Sequence, residues 1–376
     1  MNSQKTYKVI LSGGGTGGHI YPAVATAEAL RRALGDRVEL LFVGAEGKME
    51  MEKVPALGYR IEGLPVAGLQ RQLTLSNIVA NLAIPLKVVR SIRKARKVIR
   101  EFGADCVVGF GGYASAPVLW AAQRMGVPTV IQEQNSFAGV TNKILAKRAR
   151  RICVAYDGME RFFPAERIVM TGNPLRGSFA PDAVDRTKAL EYFGFTADKP
   201  VILVVGGSLG TRTFNEMMKA GVDDIVRRGE VQIIWQTGKY YQAEMDAFME
   251  GRPSEGVWRG AFIERMDYAY AAADLVVSRS GACTVSELCL MGKPTLFIPS
   301  PNVAEDHQTM NARALADKEA AEMLRDSEAV AEGLDRALAL VTDKNRLDIL
   351  KKNILALAIA DSADRVAGYV INELER

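Results

Sequence analysis

Residues 11–25 read LSGGGTGGHIYPAVA, with five glycines among positions 13–18, a threonine inside the run and a histidine after it. An apolar strand, YKVILS (7–12), enters this loop and a helical pattern, Tyr21–Leu34, leaves it. A strand that ends in glycines before a helix lets backbone N–H groups approach a phosphate, and the helix N-terminus adds partial positive charge. Gly13-x-Gly15-x-x-Gly18 also fits the dinucleotide fingerprint, which calls for an acid near the end of the second strand. In VELLFVGAEG (38–47), Glu46 has that spacing, so the loop alone leaves an NAD reading open.

Outward from the loop, CVVGFGG (106–112), PTVIQEQ (128–134) and RICVAY (151–156) are further short apolar runs separated by helical patterns. Near-continuous apolar runs suit parallel strands covered on both faces, so the repeated βα order predicts an α/β, doubly wound fold. At residue 200 the pattern restarts: PVILVVGGSLG (200–210) repeats the strand-to-glycine design, and VQIIWQTG (231–238), DLVVSRSG (274–281) and PTLFIPSP (294–301) follow. Two Rossmann-like halves are expected, with TGNPLRGSF (171–179) as the junction. One large sheet with two glycine turns is the alternative. Near the C-terminus Ala363, Val366, Ala367, Val370 and Ile371 share one helical face, as in a docked amphipathic helix.

A chain of 376 residues exceeds one ordinary core, which also favours two domains. Its composition, 48% hydrophobic and 24% charged, is that of a soluble globular protein. A net charge of +4 gives no argument for a nucleic-acid partner. Cys106, Cys153, Cys283 and Cys289 are scattered without metal spacing, which suits a reducing compartment and no bound metal. MNSQKTYKVIL enters a strand without a secretory pattern, and no apolar run is long enough to span a bilayer.

Two features weigh against NAD. Thr16 and His19 place a hydroxyl and an imidazole at the mouth of the first loop, which is the equipment of substrate chemistry. The second half has its own GGSLG (206–210), with Ser208 as a phosphate donor, and SRSGACTVSE (278–287), where Ser280 is placed to cap a helix and Glu287 to accept from a ribose diol. That makes the second half a nucleoside-diphosphate site and leaves the first half for another substrate.

Seven motifs then occur in order: GGGTGGHIYPAVA (13–25), GFGGYASAP (109–117), QEQNSFAGVTNK (132–143), GNPLR (172–176), VVGGSLGTRTFN (204–215), SRSGACTVSE (278–287) and DHQTMNA (306–312). Across essentially its whole length the chain resembles the MurG family, the bacterial transferases that add N-acetylglucosamine to lipid I to make lipid II of peptidoglycan. The resemblance implies a GT-B fold, two Rossmann-like domains facing a cleft: residues 1–172 joined by a C-terminal helix, 358–376, and a donor domain, 173–357. It implies UDP-GlcNAc as donor, inversion at the anomeric carbon, no cofactor and no protein-bound metal. Carried over by motif, Ser208 contacts donor phosphate and Arg176 lies at the donor site. Ile263 of GAFIERM (260–266) reads uracil through its backbone. Ala282, Cys283, Thr284, Val285, Ser286 and Glu287 wrap phosphate and ribose. Gln308 and Asn135 contact the sugar, and Thr16, Gly17 and Gly18 approach the donor. Tyr113 and Asn142 belong to the acceptor loops. Gln132 stands where many members have His, His307 where some have Gln, and Cys283 where a larger apolar residue is usual.

The acceptor hydroxyl needs a base, and His19 is the candidate because an ordinary histidine titrates near neutrality. Glu133 is the rival. A lipid-linked acceptor also agrees with the segment from Gly63 to Arg100, which lacks acidic residues and carries Arg71, Lys87, Arg90, Arg93, Lys94, Arg96, Lys97 and Arg100. Within LTLSNIVANLAIPL (73–86), Leu75, Ile78, Val79 and Leu82 fall at helical spacing. After Pro85, Val88, Ile92, Ala95 and Ile99 form a stripe expected to pack on the sheet. Apolar residues beside a basic face suit an anionic membrane surface, so peripheral attachment at the cytoplasmic face is expected. Three other readings stay open at this point: another UDP-sugar enzyme of the same fold, an NAD-dependent oxidoreductase, and a silent nucleotide-sugar binding protein.

Overall fold

The computed structural model describes residues 5–66, 84–175, 184–207 and 209–376. The chain divides into two compact units, Met1–Arg176 with Asp361–Arg376, and Gly177–Ala360. Arg71, Leu75, Ile78, Val79, Leu82, Arg176 and Ser208 lie outside the described residues.

The first unit is built on β1 (Tyr7–Ser12), β2 (Val38–Ala45), β3 (Ile61–Leu64), β4 (Cys106–Gly109), β5 (Thr129–Glu133), β6 (Arg151–Val154) and β7 (Ile168–Met170). They form a parallel sheet in the order β3-β2-β1-β4-β5-β6-β7. Successive strand residues face opposite sides. Val9 and Leu11 therefore join the core on one face of the sheet, and Ile10 the core on the other. Burial on both faces is why these strands read as unbroken apolar runs. The described helices are α1 (Gly17–Leu34), α2 (Glu50–Ala56), α3 (Ile84–Phe102), α4 (Gly112–Met125) and α5 (Val140–Leu145).

In α3, Ala95, Val98, Ile99 and Phe102 are buried against the sheet. The expected stripe holds at Ala95 and Ile99 but not at Val88, which is 40% exposed. With Leu86 and Val89 it makes an apolar surface on the first turns, because only the second half of the helix lies over the sheet.

The second unit repeats the scheme with β8 (Val201–Val205), β9 (Gln232–Gln236), β10 (Val257–Gly260), β11 (Leu275–Ser278), β12 (Thr295–Phe297) and β13 (Glu322–Met323), parallel, in the order β10-β9-β8-β11-β12-β13. Its helices are α6 (Arg186–Phe193), α7 (Arg212–Arg228), α8 (Gln242–Met249), α9 (Met266–Ala272), α10 (Ala282–Leu290), α11 (His307–Ala316), α12 (Ala329–Thr342) and α13 (Lys344–Ala356). Two separate sheets dispose of the single-sheet alternative. The last helix, α14 (Ser362–Leu374), belongs to the first unit, where Val366, Ala367 and Val370 share a core with Ala23, Ala27 and Leu30 of α1. Arg32 of α1 and Asp364 of α14 add an exposed ion pair at 2.8 Å.

In each unit the chain leaves the first strand in one direction and later returns to its other side. Open α/β sheets bind ligands outside the carboxyl ends of the strands at such a reversal. The reversals fall between β1 and β4 and between β8 and β11. The glycine loops follow β1 and β8, and SRSGACTVSE spans the end of β11 and the start of α10.

Candidate active site

In the first unit three loops converge after β1, β4 and β5. Gly112, at φ 79°, opens α4, and a Cβ there would collide with the Gly14 carbonyl, so the two loop backbones touch. Thr16 precedes α1 in extended conformation without a side-chain cap, and Gly17 and Gly18 begin the helix. His19, in the first turn, is half-buried, and its Nδ1 lies 3.2 Å from Gln134 Oε1.

Glu50, the first residue of α2, is fully buried. Its Oε2 accepts from the Gly15 amide and its Oε1 from the Ala45 amide, each at 3.0 Å. No periodicity or motif marks it, because its partners are backbone groups in other segments. Glu46, the acid expected of a dinucleotide site, pairs with Lys94 at 2.8 Å.

Glu133 closes β5 and is also buried. Its carboxylate accepts from the Asn135 amide at 3.1 Å, the Gly139 amide at 3.0 Å and Asn142 Nδ2 at 2.8 Å. The geometry therefore ties Glu133 to holding the 134–139 loop. Asn142 is 2% exposed and is held inside by that contact, whereas Tyr113, at the start of α4, is 58% exposed. Asn135 sits beside Glu133 at the loop's beginning.

In the second unit the loop after β8 meets the loop after β9. Gly210 and Gly238 have φ of 78° and 84°, and a Cβ on either would strike the backbone of the other segment. Thr211 Oγ1 closes the loop by donating to Gly206 O at 3.0 Å. Ser280 does not cap α10: the N-cap is Gly281, and Ser280 Oγ donates to Gln308 O at 2.8 Å. Asn311 Nδ2 donates to Ser280 O at 3.1 Å, so the hydroxyl and carbonyl together join α11 to the α10 start, which leaves no hydroxyl for capping. Gln308 Oε1 in turn accepts from the Ser300 amide at 2.9 Å.

On α10, Ala282 and Val285 face the core, while Cys283, Thr284, Ser286 and Glu287 lie at intermediate depth. Burial, and then the Glu287 charge, push the Cys283 thiol up to about 12, which keeps it protonated. Tyr270 of α9, fully buried, donates to Glu287 Oε2 at 3.1 Å. Burial, reinforced by the neighbouring carboxylate, holds its phenol well above the usual tyrosine range, so it remains a donor. Ile263, after β10, is buried.

Residues 9–154 match the N-terminal domain of glycosyltransferase family 28, and residues 201–366 match its C-terminal domain. The crystal structure of Acinetobacter baumannii MurG aligns over 97% of this chain and 99% of its own, with a TM-score of 0.76 and 28% identity. A Parabacteroides distasonis protein is 50% identical over 99% of this chain and 100% of its own length. A Bacteroides fragilis protein is 52% identical over 97% and 95%. Both carry the name UDP-N-acetylglucosamine–N-acetylmuramyl-(pentapeptide) pyrophosphoryl-undecaprenol N-acetylglucosamine transferase. With full-length identity near one half, both family 28 domains and both glycine loops at sheet reversals, the chain belongs to the MurG family of glycosyltransferases.

Proposed function

We propose that this chain transfers N-acetylglucosamine from UDP-GlcNAc to the muramoyl 4-hydroxyl of lipid I, undecaprenyl-pyrophosphoryl-N-acetylmuramoyl-pentapeptide, giving lipid II and UDP. Kinship at 50% identity over 99% of the chain carries the reading. The acceptor oxygen attacks C1 of the α-linked sugar on the face opposite UDP. The C1–O bond to phosphate breaks with inversion, and His19 takes the hydroxyl proton. Negative charge develops on the departing diphosphate, where the glycine loop after β8, with Ser208 and Arg176, and the α10 N-terminus supply donors and positive potential. Glu287 accepts from the ribose diol, Ile263 reads the base through its backbone, and Gln308 and Asn135 contact the sugar. Thr16, Gly17 and Gly18 complete the donor contacts, and Tyr113 and Asn142 serve the acceptor side. His19 is favoured over Glu133 as base because both Glu133 oxygens are engaged with the loop that follows it.

A lipid-linked acceptor together with a nucleotide-sugar donor supports a reaction at the cytoplasmic face of the membrane, with the protein attached peripherally. No described helix is long and apolar enough to cross a bilayer. Exposed Leu86, Val88 and Val89, beside Lys87, Arg90 and Arg93, supply an apolar and basic surface for anionic lipid.

The deciding experiment incubates the purified chain with UDP-GlcNAc and a short-chain lipid I, following UDP release and the β-1,4 product. UDP-GalNAc and NADH serve as competitors. Transfer from UDP-GlcNAc alone is expected. Release of UDP without lipid I dependence, or protection by NADH, would sink the reading.

A further inference from the structure

Three buried amide side chains lead to His19. Asn173 Nδ2 donates to Gln134 O at 3.0 Å, which turns Asn173 Oδ1 toward Gln132 Nε2, also at 3.0 Å. Gln132 Nε2 further donates to Glu133 O at 3.3 Å, and Gln132 Oε1 therefore faces Gln134. Gln134 Nε2 donates to that oxygen, to Phe110 O at 2.8 Å and to Gln132 O at 3.3 Å. Gln132, Gln134 and Asn173 are each at most 1% exposed, so water does not compete for these groups.

The oxygen and nitrogen of an amide are told apart by their partners. A flipped Gln134 would set its oxygen against three acceptors, and each step back to Asn173 would lose its donor. Its Oε1 is thus fixed as the atom 3.2 Å from His19 Nδ1. The structure assigns Gln134 as the positioning residue that holds neutral His19 with its proton on Nδ1. Nε2 is then the unprotonated nitrogen, and the ring accepts the hydroxyl proton without first changing tautomer. The opposite tautomer would put the Nδ1 lone pair against the Gln134 carbonyl. An amide also orders the ring without adding the negative charge by which a carboxylate would favour the imidazolium. This inference rests on His19 as the base.

The chain has only two histidines, His19 and His307, so nitrogen-15 NMR of the imidazoles is uncrowded and a His307→Asn spectrum assigns it. At about pH 8, above the ordinary histidine range, His19 is expected to show a protonated Nδ1 and an unprotonated Nε2. Gln134→Met, which keeps the volume and removes the acceptor, is expected to shift the ring toward the Nε2-protonated form. It should lower kcat by about tenfold, within what a general base contributes, and leave KM for UDP-GlcNAc within about twofold. An Nε2-protonated ring in the unaltered protein overturns the assignment without recourse to any variant. So does a Gln134→Met protein whose tautomer is unchanged. If the tautomer is as assigned but His19→Ala keeps turnover within about tenfold, the base reading fails and Gln134's part in the reaction fails with it.

Discussion

Glu50 Oε2 accepts the Gly15 amide at 3.0 Å across 35 residues of chain, pinning the glycine loop to α2. Its other oxygen takes the Ala45 amide at the end of β2. Glu50→Gln keeps the shape but replaces one acceptor by a donor, so either the buried Ala45 amide or the part-buried Gly15 amide loses its charged partner. The expected cost is about 1–3 kcal/mol, read as a lower urea midpoint with an unchanged slope. Turnover should fall as well, because the loop that Glu50 orders carries Thr16 and His19. An unchanged midpoint would mean that the loop is held by other contacts.

For Glu133, the expectation is a structural loss. Glu133→Gln should destabilise the 134–139 loop and lower turnover, yet leave the acid limb of the kcat/KM profile in place. His19→Ala should lower kcat by about 10²-fold or more and remove that limb. Loss of the limb in Glu133→Gln alone would move the base from His19 to Glu133.

Much of this was legible in the sequence because the sheets are buried on both faces. Runs such as YKVILS and PVILVV have no exposed side to interrupt them, and they became β1 and β8. Ile61–Leu64, Ile168–Met170 and Glu322–Met323 were not legible: they are short strands at sheet edges, and two of them are only half-buried. Helix α1 begins four residues before its helical pattern at Tyr21, since Gly17 and Gly18 have poor helix propensity and are helical through their place in the fold. Glu50 and Tyr270 have no periodic signature, because what marks them is a partner in another segment. At Gln132 and Gln134 a hint existed: polar residues two apart at a strand's end share one side.

Tyr270 donates to Glu287 from a fully buried position, and its phenol stays protonated, so Tyr270→Phe removes a donor without opening a cavity. A hydrogen bond to a charged group contributes about 1.5–3 kcal/mol, only part of which reaches the ligand. If Glu287 holds the ribose, KM for UDP-GlcNAc should rise about three- to tenfold and kcat should change less than about twofold. Equal losses in both would place Tyr270 in the reacting geometry instead.

Membrane attachment is tested with vesicles. Leu86, Val88 and Val89 expose apolar surface beside Lys87, Arg90 and Arg93. Binding to anionic vesicles should exceed binding to neutral ones and weaken with salt, since each basic residue near such a surface contributes about 1 kcal/mol. Replacing Leu86 and Val89 by Ser should weaken binding at every salt concentration. Equal affinity for neutral and anionic vesicles would remove the electrostatic part.

Lys293 gives a prediction that is independent of catalysis. Burial first, then the positive charge of Arg186, lowers its ammonium to about 8, with Asp274 acting in the opposite direction, and Nζ donates to Ala273 O at 2.9 Å. In the unfolded chain a lysine titrates near its ordinary value of 10.5. Between those values the unfolded state binds more protons, so this group makes stability rise with pH. Its contribution is fully present above 10.5 and is lost as pH falls through 8. At neutral pH the buried charge costs on the order of 3 kcal/mol. Lys293→Met removes that cost, while its loss of the Ala273 hydrogen bond is the same at every pH. The variant's stability relative to the unaltered protein should therefore be highest near pH 7 and decline toward pH 10, measured by urea unfolding across that range. A difference that stays constant with pH would mean that Lys293 keeps its ordinary affinity for protons in the folded chain.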